Sequence, residues 1–268
     1  MRKLILAALL IAFPLGSQDI LVNNALLTST VTSVAGVPDE LFQMTVDSDS
    51  ADYTGTAVTP GACSVSGSIA VTEDPTSSGL YSLRRTDTAS GTATCGSDID
   101  SLTDFTITAW VRVDAFIVGN AQRIVCKNTG AALFSWCFTV GNSVNQNLSV
   151  AFSNTSDFRD LFESDVNSFA AYDGLSTYTF VAATLTGCTA MGCAGQLYID
   201  GLPVNTTQTG SQGGTPKSDT SALVRLLGLD TGGVNGPLVG YIDDLRVFTA
   251  LTDEQVAAVY SSGRKGGI

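Results

Sequence analysis

The chain has 268 residues, 44% of them apolar and only 14% charged, with a formal net charge of −12. That acidity argues against nucleic acid and anionic membrane surfaces as partners, and leaves cations, neutral glycans and other proteins. Histidine is absent, which excludes every His-dependent triad and every His-based zinc or iron site.

The chain opens on "MRKLILAALLIAFPLGSQD", where Arg2 and Lys3 precede an apolar run from Leu4 to Phe13, followed by Pro14, Gly16 and Ser17. This is the order of a secretory signal, and the run is short for a bilayer span. Residues 1–17 are therefore expected to direct export, with no transmembrane anchor. Residues 18–39, uncharged for most of their length and without helix caps, read as an extended linker or assembly segment. One domain is expected over 40–263, with a tail at 264–268.

From Leu41 onward, short strand-like runs alternate with turns rich in Gly, Asn, Asp and Ser. The clearest strand is "DFTITAWVRVD" (104–114), in which Phe105, Ile107, Ala109, Val111 and Val113 alternate with Thr106, Thr108, Trp110, Arg112 and Asp114. Further runs follow at 123–126, 133–140, 147–152, 177–187, 195–201 and 224–230. Many short antiparallel strands predict an all-β, two-sheet sandwich.

The six cysteines include no C-x-x-C pair, so structural disulfides in an oxidising compartment are expected. A hairpin turning near Gly130 sets Cys126 opposite Cys137 and, on the other face, Val125 opposite Phe138. Cys188 and Cys193 bracket a short loop between two strand-like runs, which leaves Cys63 for Cys95. Asn147, Asn154 and Asn205 begin N-x-[ST] sequons and matter only if the host glycosylates exported proteins.

Two helices are predicted, a short acidic one near 157–166 and one at the C-terminus. For the latter, Thr252 and Gln255 form a capping box, and Leu251 and Val256 a hydrophobic staple across it. Asp253 and Glu254 suit the positive helix end, and Gly263 the stop.

The order "DFTITAWVRVD", "GQLYIDGLPV", "LVGYIDDLRVFTALTDEQVAAVYSSG" resembles the laminin-G-like branch of the concanavalin A-like lectin/glucanase superfamily. The most specific motif is the final G-x-IDD-x-R-x-(Y/F) strand with its short helix. The resemblance implies a jelly roll of two curved antiparallel sheets with a short C-terminal helix. Members of that superfamily include glycan-binding modules, adhesion modules and glycoside hydrolases, and many hold one calcium ion. The fold does not choose among them.

Hydrolases on the fold this resemblance implies resemble one another in setting their acids at alternate positions of one strand, as E-x-D-x-E, and no such run occurs here. Asp243 and Asp244 are adjacent, so a regular strand points them to opposite faces, and they cannot flank one glycosidic bond. Regular alternation groups Tyr241, Asp243, Leu245 and Val247 on one face, and Ile242, Asp244, Arg246 and Phe248 on the other. A carboxylate among apolar neighbours needs compensation. Asp243 is then either a calcium ligand, with Asp47, Asp49 or Asp52 of "VDSDSADYTG", or a structural acceptor for backbone N–H groups or an arginine. Asp244 and Arg246 read as a surface ion pair. Trp110 and Arg112, opposite the apolar face of their strand, either stack on a sugar ring or pack beneath loops, and packing is preferred for the Trp. The leading expectation is a secreted, non-catalytic module that binds extracellular glycan or protein, with calcium as the one candidate cofactor. A structural subunit of a filament, coat or surface appendage is the alternative, and glycoside hydrolysis ranks third.

Overall fold

The computed structural model describes residues 36–264, apart from 49, 58, 75–79, 88–90, 97–98, 100–101, 118–120, 129–133, 142–143, 154–158, 173, 175, 190–191, 211–221 and 229–235. The signal expected at 1–17 and nearly all of the segment expected at 18–39 lie outside the described residues. Those described belong to one compact unit, Ser33–Ile268.

Strands β1 (Phe42–Val46), β2 (Ala51–Thr54), β3 (Gly61–Ala62), β4 (Ser64–Gly67), β5 (Ile69–Glu73) and β6 (Tyr81–Arg85) come first. They are followed by β7 (Gly91–Cys95), β8 (Phe105–Ala115), β9 (Gln122–Asn128), β10 (Phe134–Val140), β11 (Leu148–Ser153) and β12 (Arg159–Ser164). The last group is β13 (Thr179–Thr189), β14 (Gly192–Ile199), β15 (Leu202–Val204), β16 (Thr206–Gly210), β17 (Leu223–Leu226), β18 (Gly236–Pro237) and β19 (Val239–Thr249), with helix α1 at Asp253–Ser261.

The strands form two sheets. One runs β15-β14-β13-β8-β19-β1-β2-β3, with β6 joining β19 and β5 joining β6; the other runs β16-β12-β11-β10-β9-β17-β7-β4, with β18 beside β9. All pairings are antiparallel except β18 with β9. The inward residues of β8 (Phe105, Ile107, Ala109, Val111 and Val113) meet Val125, Phe138, Val150 and Phe162 of the facing sheet in one core. Alternation along each strand thus becomes a two-layer sandwich, as the sequence pattern requires.

The disulfides are Cys63–Cys95, Cys126–Cys137 and Cys188–Cys193. Register places Cys137 opposite Cys126 and Phe138 opposite Val125, which is the hairpin expected from the sequence. The acidic helix expected near 157–166 is not formed. Residues 159–164 are β12, paired with β11 on one side and β16 on the other, and Phe162 lies in the core. Ladder bonds on both edges override the local helical reading.

Helix α1 is capped as expected: Thr252 accepts from the Gln255 N–H, and Gln255 Oε1 accepts from the Thr252 N–H. Leu251, Val256 and Val259 bury with Phe180, Tyr198 and Phe248 in a second apolar cluster on the outer face of the ten-stranded sheet. Val37 packs against this cluster, and Gln255 Nε2 donates to the Gly36 carbonyl, so the segment just before residue 40 is part of the domain. No helix among the described residues is long and apolar enough to cross a membrane.

Candidate functional site

The "GYIDDLRVF" stretch lies on β19, whose outer neighbour changes part way along. Gly240–Ile242 pair with β6, whereas Arg246 and Val247 pair with β1. Between these partners the register against β8 slips: Asp243 faces Trp110 and Arg246 faces Thr108, so three steps on β19 match two on β8. The extra residue is a β-bulge, and Asp244 adopts a left-handed φ of 46° within it.

The bulge corrects the face assignment made from regular alternation. Ile242, Leu245 and Val247 all point into the core, while Tyr241 and Phe248 lie on the outer face. Asp243 therefore shares the outer face with Trp110 and not with Leu245. The Asp244–Arg246 pair is also not at the surface, because Asp244 is 2% and Arg246 1% exposed. Arg246 Nε donates to Asp244 Oδ1 at 2.7 Å and its Nη2 to Oδ2, while Gln43 Nε2 on β1 donates to Oδ1 at 3.3 Å. Asp243 Oδ1 accepts the N–H of Asp244 at 2.7 Å, which closes the bulge. One aspartate thus bonds the backbone of the bulge, and the other ties it to Arg246 and to β1.

Asp243 has a second partner that the sequence reading left in a tail. Arg264 Nε donates to Asp243 Oδ2 at 2.9 Å, and its Nη1 donates to Asp74 Oδ2. The guanidinium lies 3.8 Å from the centroid of Tyr178, whose hydroxyl is 2.6 Å from Ser82 Oγ. Burial, the largest effect, raises the Asp243 carboxyl from 3.8 to about 6; the charge of Asp244 adds to it and Arg264 opposes it. Asp243 is thus a structural acceptor for both a backbone N–H and an arginine.

Of the residues expected to join it around calcium, Asp47 and Asp52 make contacts within their own turn. Asp47 is exposed and accepts from the Ser50 N–H at 2.9 Å, closing the β1–β2 turn. Asp52 accepts from Ser50 Oγ at 2.9 Å, and Asp49 lies outside the described residues. Among the described residues no group of three acidic or cysteine side chains is placed to hold a metal ion, and the oxygens of Asp243 already accept from Arg264 and Asp244.

Trp110 is half-buried beneath α1. Its ring stacks on Tyr260 at 5.7 Å and meets the edge of Phe180 at 5.5 Å, so the indole face is taken by the helix. Arg112, two residues further along β8, is differently placed. Register aligns Arg84, Tyr241 and Arg112 across β6, β19 and β8, a single row on the outer face. The guanidiniums lie 5.0 Å (Arg84) and 4.2 Å (Arg112) from the Tyr241 ring centroid. Arg112 Nε and Nη2 both donate to Asp114 Oδ1, at 3.1 and 3.0 Å, whereas Arg84 approaches Asp114 only to 3.7 Å. The Arg84 side chain is 39% exposed.

Sequence reasoning found Arg112 but not Arg84, Tyr178, Asp74 or Arg264. Arg84 joins Tyr241 only through the long-range pairing of β6 with β19, and no local pattern announces that. Of the sequons, Asn147 is buried, and its Nδ2 donates to Glu163 at 3.2 Å, which withdraws it from modification. Asn205 is exposed and donates to Asp165 at 3.1 Å; Asn154 lies outside the described residues.

Among solved structures, the fold is similar to the binding domain of Paraclostridial Mosquitocidal Protein 1, at 16% identity and a TM-score of 0.58, over 84% of this chain and 52% of that one. It is similar to botulinum neurotoxin type C, whose cell entry depends on interaction with two ganglioside molecules, at 12% identity and a TM-score of 0.57, over 83% and 51%. A Ruminococcus gnavus IT-sialidase CBM40 bound to α2,3-sialyllactose matches at 19% identity and a TM-score of 0.45, over 60% and 84%. The chain spans about half the length of the toxin chains. No curated protein sequence matches it. Residues 86–257 match the laminin-G-type family model of the concanavalin A-like lectin/glucanases superfamily, the stretch that holds the β8 alternation, the β14–β15 hairpin and the bulged β19, and the chain belongs to that family.

Proposed function

We propose that the chain is a secreted, non-catalytic binding module that recognises extracellular glycan. The observation that carries this reading is the state of the two aspartates. Both are at most 2% exposed and both are bonded to arginines, so neither can exchange a proton with a substrate. Hydrolysis by this pair would also need both carboxyl groups at one glycosidic bond. What the outer sheet face offers instead, beyond α1, is the Arg84–Tyr241–Arg112 row. The fold it shares with toxin binding domains, one of them dependent on gangliosides, supports binding as the role. The paired cysteines support an oxidising, extracellular location.

The test is a glycan array probed with the full secreted chain, repeated in EDTA, beside an assay for released reducing ends. Saturable binding that survives EDTA, with no release, is the expected result. Turnover abolished by a single carboxylate substitution would overturn the reading.

A further inference from the structure

We propose that the Arg84–Tyr241–Arg112 row is the site of a carboxylate-bearing saccharide, with Arg84 as the residue that engages the acid group. This rests on the glycan-binding reading and names the ligand class of that surface.

The chain is strongly acidic, yet two guanidiniums are held side by side on one ring with a single carboxylate, Asp114, between them. Counted with the adjoining Arg264, Asp74 and Asp243, three guanidiniums meet three carboxylates, so the imbalance is local to the row and not net. Asp74 and Asp243 are buried against Arg264, whereas the Arg84 side chain is 39% exposed, so the positive charge open to solvent is that of Arg84. A single exposed guanidinium suits a monoanionic carboxylate, and the overall acidity disfavours a polyanion.

Hydrogen bonding points the same way. Arg112 spends Nε and Nη2 on Asp114. Its Nη1 and Arg84 Nε are both buried and have no acceptor among the described residues. The 3.7 Å separation of Arg84 Nη2 from Asp114 is longer than a hydrogen bond, so with Nε buried it is the terminal Nη pair of this part-exposed side chain that remains unspent. A guanidinium fork matches a carboxylate bidentately. Cation–π contact with Tyr241, itself 3% exposed, draws both guanidiniums to one place before a ligand arrives. On the far side of Arg84 the paired residue on β5 is Ala70, small and exposed, which leaves room for a sugar ring beside the fork.

The experiment compares matched probes on the full secreted chain by calorimetry: trigalacturonic acid against its methyl ester, and sialyllactose against lactose. Wild type is expected to bind at least one acid about tenfold more tightly than its neutral counterpart, the scale of one charge-assisted contact. R84Q is expected to erase that preference, so that acid and neutral probes bind alike, with the circular dichroism spectrum intact because the Arg84 guanidinium hydrogen-bonds to no described residue. The preference is also expected to fall as salt rises. Equal affinity for acid and neutral probes, or a preference that survives R84Q, overturns this inference while the binding-module reading stands. If no acid, ester or array glycan binds at all, both fall.

Discussion

Arg264 donates Nε to Asp243 at 2.9 Å from a position just past the C-terminal helix, and with its Nη1 it reaches Asp74 beyond β5. The contact joins the segment after α1 to the bulged strand through Asp243, 0% exposed, and to the end of β5 through Asp74, 3% exposed. Removing one partner of a buried pair strands the other charge. R264A is therefore expected to destabilise the domain by about 3 kcal/mol, and R264A combined with D243N by clearly less than the sum of the two. Urea unfolding of the three variants checks this, and additive effects would dissolve the pairing.

The same carboxylate sets a pH dependence. Burial raises Asp243 to about 6 from 3.8, so between those values the folded state holds a proton that the unfolded state has lost. Stability from this group is therefore highest below about pH 4, falls as pH rises toward 6, and is flat above. The whole effect is on the order of 2–3 kcal/mol. Other carboxylates titrate in the same range, so the quantity to measure is the difference between wild type and D243N. That difference is expected to move against wild type from pH 4 to 6. A difference that instead grows in its favour would show that the arginine outweighs burial.

Asp244 is held in a left-handed conformation by Arg246 and Gln43. D244A keeps the backbone strain and loses both acceptor contacts, for an expected loss of about 3 kcal/mol. D244N tolerates the left-handed region and retains an acceptor oxygen, so it is expected to be the milder change. Thermal or urea unfolding ranks them, and equal losses would mean that charge alone matters at the bulge.

This bulge also marks where legibility in the sequence ended. The β8 alternation, the capping box and the Cys126–Cys137 register are local patterns, and each is found as read. Alternation failed across 243–246 because the bulge coincides with the change of neighbour from β6 to β1, a long-range event with no local signature. The segment 159–164 was misread for a related reason: two strands distant in sequence complete its ladder. Arg84 and Arg264 reach the site by the same kind of long-range contact. The residues that make the motif recognisable thus build the scaffold and two members of the row, and the third, Arg84, comes from a strand the motif does not contain.

Gly201 gives the sharpest test of how the helix covers Trp110. It sits in the β14–β15 turn at φ 76°, after Asp200 at φ 50°, where a side chain is disfavoured. A Cβ there would lie 2.8–2.9 Å from Cδ1, Cβ and Cγ of Tyr260, atoms near the root of that side chain and unable to swing clear. Tyr260 in turn stacks on Trp110. G201A is therefore expected to destabilise by about 2–4 kcal/mol, through backbone strain and overpacking together. It should also loosen α1 from the sheet before the core opens. The readout is tryptophan fluorescence: Trp136 is 2% exposed inside the core, so new acrylamide quenching in the folded state reports Trp110. Quenching unchanged from wild type below the unfolding transition would mean that the helix holds its place without this contact.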